Sequence, residues 1–435
     1  MSGGRTAYLN ARLVDPATGL DAPGALLVED GRIIDLGPRL FADGAPADAE
    51  IVECGGMVLA PGLVDMRASL GEPGHEHKET IASAGRAAAA GGVTAIACLP
   101  DTDPPVDSEA VLQFVAGRAR KAKLAKIYPY ACLTRGAKGE DLAELGLLAE
   151  AGAVAFTDGR RAVGDALVMR RALSYATAFD LLIVQHPEEP SLARDGVMNA
   201  GEVATRLGLA AIPPQAEVMM IERDLRLLEI AGGRYHVAHV STAASVEAIR
   251  QAKRRGLSVT CDTAPPYFAL TEVDVGDYRT FARLSPPLRT ELDRRAIVEG
   301  LADGTIDVIA SDHTPHDQDS KRLPFAMAEP GIVGLETLLP LALELYHQER
   351  LSLIDLLAKL TVAPAGLLKI PAGRLEKGAA ADLTLFDPDE PWKIDVDSFQ
   401  GKSRNSPFDK RPVMGRVSRT IVDGRTIFRR ETADG

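Results

Sequence analysis

Val93-Thr94-Ala95-Ile96-Ala97-Cys98-Leu99 is apolar at both alternations of a strand. A strand with one wet face alternates apolar and polar residues, so this run reads as a parallel strand buried on both faces. It follows an alanine-rich helical stretch and a Gly91-Gly92 stop. The same unit recurs downstream. Ala153–Thr157, Leu181–Gln185, Tyr235–Val240, Leu257–Cys261 and Val308–Ser311 are short apolar runs separated by helical patterns. About seven or eight such runs suit an α/β fold of the (β/α)8 TIM-barrel type, in which polar residues past the strand ends line one mouth. A doubly wound open sheet is the structural alternative. No G-x-G-x-x-G turn, G-x-x-x-x-G-K-[ST] loop or tandem repeat is present.

The two ends of the chain read differently. Gly24–Asp35 is two apolar runs around Asp30-Gly31, a hairpin signal. Ala381–Asp387 is strand-like, and Thr420–Phe428 carries its own Asp423-Gly424 turn. The expected organisation is therefore a small β-sandwich domain built from both termini, residues 1–57 and 373–435, around a barrel over 58–372.

The 435 residues carry a net charge of -12, with 46% hydrophobic and 25% charged residues. That composition fits an ordinary soluble globular protein and disfavours nucleic acid as a partner. No apolar run is long enough for a membrane span, and MSGGRTAYLN has no signal-peptide pattern. Cys54, Cys98, Cys132 and Cys261 are widely scattered, which suggests reduced thiols and a cytoplasmic location.

Asp65, Asp158, His186, His239 and Asp312 fall near the strand ends. Carboxylates and imidazoles converging there form a natural divalent-metal site. A lone strand-end histidine is more often a hydrogen-bonded core residue, so it is the set of five that points to a metal. His236 lies mid-strand and reads as core. His75 and His77, in GEPGHEHKET, read as loop and helix-start residues; His313 and His316 read as neighbours of the site and not ligands.

Several segments together resemble the dihydroorotase branch of the amidohydrolase superfamily: LAPGLVDMRASLGEPG (59–74), GAVAFTDG, IVQHPEEP, VAHVSTA, SPPLRTELDR, ASDHTPH and GIVGLETLLPL. The resemblance spans nearly the whole chain. It implies a TIM barrel, and it places Asp158, His186 and His239 at metal-ligand positions. Asp312 falls at the position of a metal-binding aspartate that serves as general acid/base in active members.

The departures are as informative. In the family the first strand ends D-x-H-x-H-L-R-E-P-G. Here Asp65 is kept, but Arg67 and Ser69 stand at the two histidine positions and Gly71 at the substrate-binding arginine. A guanidinium donates hydrogen bonds, is always charged and cannot replace an imidazole ligand. Asp101, in Pro100-Asp101-Thr102, stands where the family has a substrate-binding asparagine; Ser285 opens the motif that begins with asparagine in the family; Ala264-Pro265-Pro266-Tyr267 lacks histidine. An anionic ureido acid would lose an arginine and meet a new carboxylate at Asp101. A charge-assisted hydrogen bond contributes roughly 1.5–3 kcal/mol.

The resemblance thus leads to a non-catalytic dihydroorotase homologue in pyrimidine biosynthesis, with aspartate carbamoyltransferase as its structural partner and no cofactor. A homo-oligomer is the secondary option. The alternative is an active cyclic amidohydrolase acting on dihydroorotate or another cyclic amide, with one Zn2+ on Asp158, His186 and His239 and with Asp312 catalytic. A hydantoinase-like enzyme is disfavoured because Asp158 stands where a carbamylated lysine would be needed. Arg67 is expected to point into the barrel mouth and bridge Asp158, Asp312 or both.

Overall fold

The computed structural model describes residues 4–431, so the outermost residues of both expected terminal segments, and the start of MSGGRTAYLN, lie outside the described residues. The N-terminal strands are β1 (Arg5–Asp15), β2 (Leu20–Glu29), β3 (Arg32–Gly37), β4 (Ala49–Glu53) and β5 (Val58–Pro61). The Asp30-Gly31 signal is a two-residue hairpin turn, with Glu29 paired to Arg32 and positive φ at both turn residues, as the strand twist favours.

The barrel begins with β6 (Leu63–Ala68), β7 (Val93–Cys98) and β8 (Lys126–Pro129), which pair in parallel. The fourth stave is shortened to parallel bridges of Phe156 with Ala131 and Ile183. β9 (Leu182–Gln185) follows, and β10 (Met198–Asn199) with β11 (Ala211–Ile212) forms a separate small ribbon. β12 (Arg234–Val237), β13 (Val259–Thr263) and β14 (Val308–Ile309) continue the parallel series. A parallel bridge between Ala68 and His313 closes the ring. This is the expected (β/α)8 barrel.

Its strands are buried on both faces, as their unbroken apolar runs require. Ala95, Ala97, Tyr130, Val184, Ala238, Val308 and Ala310 pack in one cluster with Leu368 and Ile370. Ile96, Ile183, Val237 and Ile309 pack in another, with helix residues such as Ile81, Met169 and Ile221. The helix Ile81–Ala90 starts at Thr80, whose side chain accepts from Ser83 N while Ser83 Oγ accepts from Thr80 N, a reciprocal cap.

The C-terminal strands β15 (Leu383–Lys393), β16 (Pro412–Val422) and β17 (Arg425–Arg429) join β5, β1, β2 and β3 in one hydrogen-bonded sheet, with β4 attached to β1. Leu13, Leu26, Leu59, Leu383 and Ile421 share its core, so both termini build one small β domain. β5 pairs with β15 and β1. The residues 58–61 therefore belong to this sheet, and the barrel starts a few residues later than the expected boundary.

Candidate functional site

Arg67, at the end of β6, is 1% exposed and lies among carboxylates and imidazoles. Its Nε donates to Asp312 Oδ1 at 3.0 Å. Nη1 and Nη2 are buried and find no hydrogen-bond partner among the described residues. Burial alone would raise the Asp312 pKa; nearby His239 and Arg67 instead hold the carboxylate well below its ordinary range. Asp312 has φ +49° and His239 has φ +37°. Two non-glycine residues in the left-handed region, side by side in one mouth, are the kind of local strain that collects at functional sites.

Asp158 is not reached by Arg67. Its Oδ1 accepts from Thr134 N at 2.8 Å and its Oδ2 from Thr134 Oγ1. Burial pushes its pKa up, and the Thr134 bonds pull the other way. Of the two aspartates expected to face Arg67, the guanidinium thus takes only Asp312, because Thr134 already satisfies both oxygens of Asp158. Asp65 lies deeper than a mouth residue. It is fully buried and accepts from Ser311 N, Ser311 Oγ and Arg67 N, tying the first stave to the last. Burial lifts its pKa to about 7.

His186 and His239 do come together. His186 Nδ1 lies 2.6 Å from His239 Nε2, and His239 Nδ1 lies 3.4 Å from Asp312 Oδ1. His186 Nε2 lies 3.2 Å from Ser285 Oγ, whose single proton is donated to Glu188 Oε2 at 3.1 Å. Beneath them, Asp262 accepts from the backbone N–H of His239 through Oδ1 and meets His236 Nε2 through Oδ2. His236 also bonds Thr260 and is fully buried, the core role its mid-strand position implied.

The other substituted positions have closed over the family's missing groups. Ser69 Oγ donates to Asp101 Oδ2 at 2.6 Å. Gly71 adopts φ +69°, and a Cβ there would stand 2.6 Å from Glu79 O and 2.9 Å from His75 O. A side chain therefore has no room without backbone movement. His77 is exposed in its loop, 3.8 Å from Asp317, and His75 lies beside it. His313 Nδ1 accepts from Gly334 N, and His316 Nε2 donates to Pro330 O.

The fold family implies a divalent metal, and the donors as placed do not fit one. Arg67 and Ser69 supply no imidazole. Both oxygens of Asp158 are engaged by Thr134, and the facing nitrogens of His186 and His239 are turned on each other. Among the described residues, no three His, Cys, Asp or Glu side chains are grouped so as to hold an ion.

Residues 56–245 match the family model described as dihydro-orotase-like. The chain is 50% identical over 420 residues to a dihydroorotase of Syntrophotalea carbinolica, covering 97% of this chain and 98% of that protein. It is 47% identical over 426 residues to a dihydroorotase of Wolbachia sp. subsp. Brugia malayi, covering 98% and 96%. The chain belongs to the dihydroorotase family. Among solved structures, the L-hydantoinase of Arthrobacter aurescens superposes with a TM-score of 0.87 at 27% identity, covering 97% of this chain and 95% of that one. This chain and that L-hydantoinase thus share one fold over nearly their whole lengths.

Thr134, Glu188 and Asp262 were not singled out by sequence reasoning, although each engages a residue that was. Glu188 was readable as the second residue after His186 in QHPEEP. Thr134 and Asp262 become visible only when neighbouring staves are placed side by side.

Proposed function

We propose that this dihydroorotase-family chain serves pyrimidine biosynthesis without itself interconverting dihydroorotate and carbamoyl-aspartate, and that it acts as a structural partner of an aspartate carbamoyltransferase. One observation carries the non-catalytic part: the buried Arg67 guanidinium bonded to Asp312. Asp312 is the residue an active member needs as metal ligand and proton carrier. Here its charge is already matched by a permanent cation. Loss of the imidazoles at Arg67 and Ser69, the closed backbone at Gly71 and the carboxylate at Asp101 support the same reading. The carbamoyltransferase rests on the family resemblance alone. A cytoplasmic setting agrees with four buried, unpaired cysteines, and no helix among the described residues is long and apolar enough to cross a membrane.

A second reading has its own support. The relatives above, 47–50% identical over nearly their full length, are named dihydroorotases, and those names favour an active enzyme over an inert scaffold. On this reading Asp158, His186 and His239 would hold one Zn2+, which would polarise the cyclic amide, and Asp312 would carry the proton.

Mixing the purified chain with the aspartate carbamoyltransferase of the same source tests the partner role. Co-elution in size-exclusion chromatography, with changed carbamoyltransferase activity, is the expected result. Separate elution at micromolar concentration with unchanged activity ends it. Turnover of dihydroorotate by the metal-replete chain decides for the second reading.

A further inference from the structure

Arg419 on β16 and Arg429 on β17 are directly opposite partners in the antiparallel ladder. Like charges so placed destabilise a sheet unless something matches them, and little here does. Arg419, whose side chain is 12% exposed, has Thr426 Oγ1 at 3.5 Å and Glu50 Oε1 at 3.9 Å. Arg425 and Arg429 are exposed, and no hydrogen bond or ion pair engages either guanidinium among the described residues. All three arginines line a hollow of about 350 Å3 between β16–β17 and the strands β1 and β4, in which Glu50 is the one carboxylate among the described residues. Tyr8, 1% exposed, lies against the same hollow, and its hydroxyl bonds to no described residue. A second hollow, of about 600 Å3, adjoins the first and shares Arg425. Its wall is apolar at Ala116, Leu124, Ile127 and Val422, and it also holds Arg120 and Lys123. It lies at the start of β8, the end of the barrel opposite the mouth.

We propose that the two hollows form one binding site for a nucleoside polyphosphate, with the phosphates among Arg419, Arg425 and Arg429 and the base against the apolar wall. Three guanidiniums against one carboxylate leave an excess of positive charge. Guanidiniums cannot lose that charge, and they grip phosphate oxygens through paired N–H donors. A phosphate between Arg419 and Arg429 turns their repulsion into a shared bridge, and the Tyr8 hydroxyl is a further donor to it. Arg425, common to both hollows, can lie over the face of a base as well as reach a phosphate. The volumes are those of a small-molecule site. An inorganic anion would use only the first hollow, so the apolar second one selects a ligand with a flat organic body.

This site is independent of any carbamoyltransferase and of dihydroorotate turnover. The full chain, at physiological ionic strength so that weak surface attraction is screened, is titrated in a calorimeter with each of the four ribonucleoside triphosphates, with inorganic triphosphate and with heparin. At least one nucleotide should bind at one site per chain, and inorganic triphosphate should bind more weakly because it leaves the second hollow empty. Arg425→Gln and Arg429→Gln, at exposed positions and with melting curves like the parent's, should each weaken nucleotide binding by about tenfold or more. Arg295→Gln, an exposed arginine outside both hollows, should leave it unchanged. No nucleotide binding, binding that survives both substitutions, or inorganic triphosphate or heparin binding as tightly as every nucleotide would overturn the proposal.

Discussion

Arg67 Nε and Asp312 Oδ1 meet at 3.0 Å across 245 residues of chain, joining the ends of the first and last barrel staves. Both side chains are almost wholly removed from water. In active family members that carboxylate faces a metal. Here a guanidinium of the same fold lies against it and supplies a permanent positive charge.

Removing Arg67 should expose how much the mouth depends on it. Leaving a buried charge unpaired typically costs about 3–5 kcal/mol. Arg67→Ala should lower stability by that order in urea denaturation, and adding Asp312→Asn should recover part of it. An Arg67→Ala chain as stable as the parent would show that the pair carries little.

Restoring the imidazoles should restore a ligand set. In an Arg67→His, Ser69→His chain, zinc content after incubation and desalting should rise well above that of the parent, since histidine nitrogens are natural Zn2+ ligands. Equal zinc in parent and double variant would mean that Arg67 does not exclude the ion.

Gly71 should resist substitution. Its φ of +69° and the close backbone oxygens of Glu79 and His75 leave no place for a Cβ. Gly71→Ala should cost about 1–3 kcal/mol, read as a lowered denaturation midpoint. A neutral effect would show that this loop re-forms readily around a side chain.

Acid should weaken the fold partly through His316. Burial, with Arg160, Lys78 and Lys321 nearby, lowers its pKa from 6.5 to about 2. Between those values the unfolded chain binds a proton that the folded chain does not. Its contribution to stability is therefore complete above pH 6.5 and is lost as pH falls below it, by up to about 1.4 kcal/mol per unit. His316→Gln should flatten the dependence of the urea midpoint between pH 7 and 5. An unchanged slope would place the acid sensitivity elsewhere.

The barrel was legible because its staves, Val93–Leu99 above all, are apolar on both faces, and the terminal β domain because Asp30-Gly31 and Asp423-Gly424 mark hairpins. The stave at Ala153–Thr157 was legible on the same ground, but in the fold only Phe156 makes its bridges. Arg67 and Asp312 could be paired from the sequence because opposite charges stood at two staves that a closed barrel brings together. That Asp158 turns to Thr134 could not be foreseen, because a hydroxyl and an amide on the neighbouring stave carry no charge signature. Asp65 misled for a related reason: a carboxylate near a strand end reads as a mouth residue until Ser311 is seen to cover it. The contact of Ser285 with Glu188 and His186 likewise depends on how a loop folds back over the mouth.

The central claim is that this mouth does not turn over the family's substrate. The most direct measurement is cyclisation of carbamoyl-aspartate, and its reverse, by the metal-replete chain alone, with Asp312→Ala as control. The account predicts no rate above the Asp312→Ala background in either direction. A robust rate that Asp312→Ala abolishes would contradict it and establish the active, metal-dependent reading.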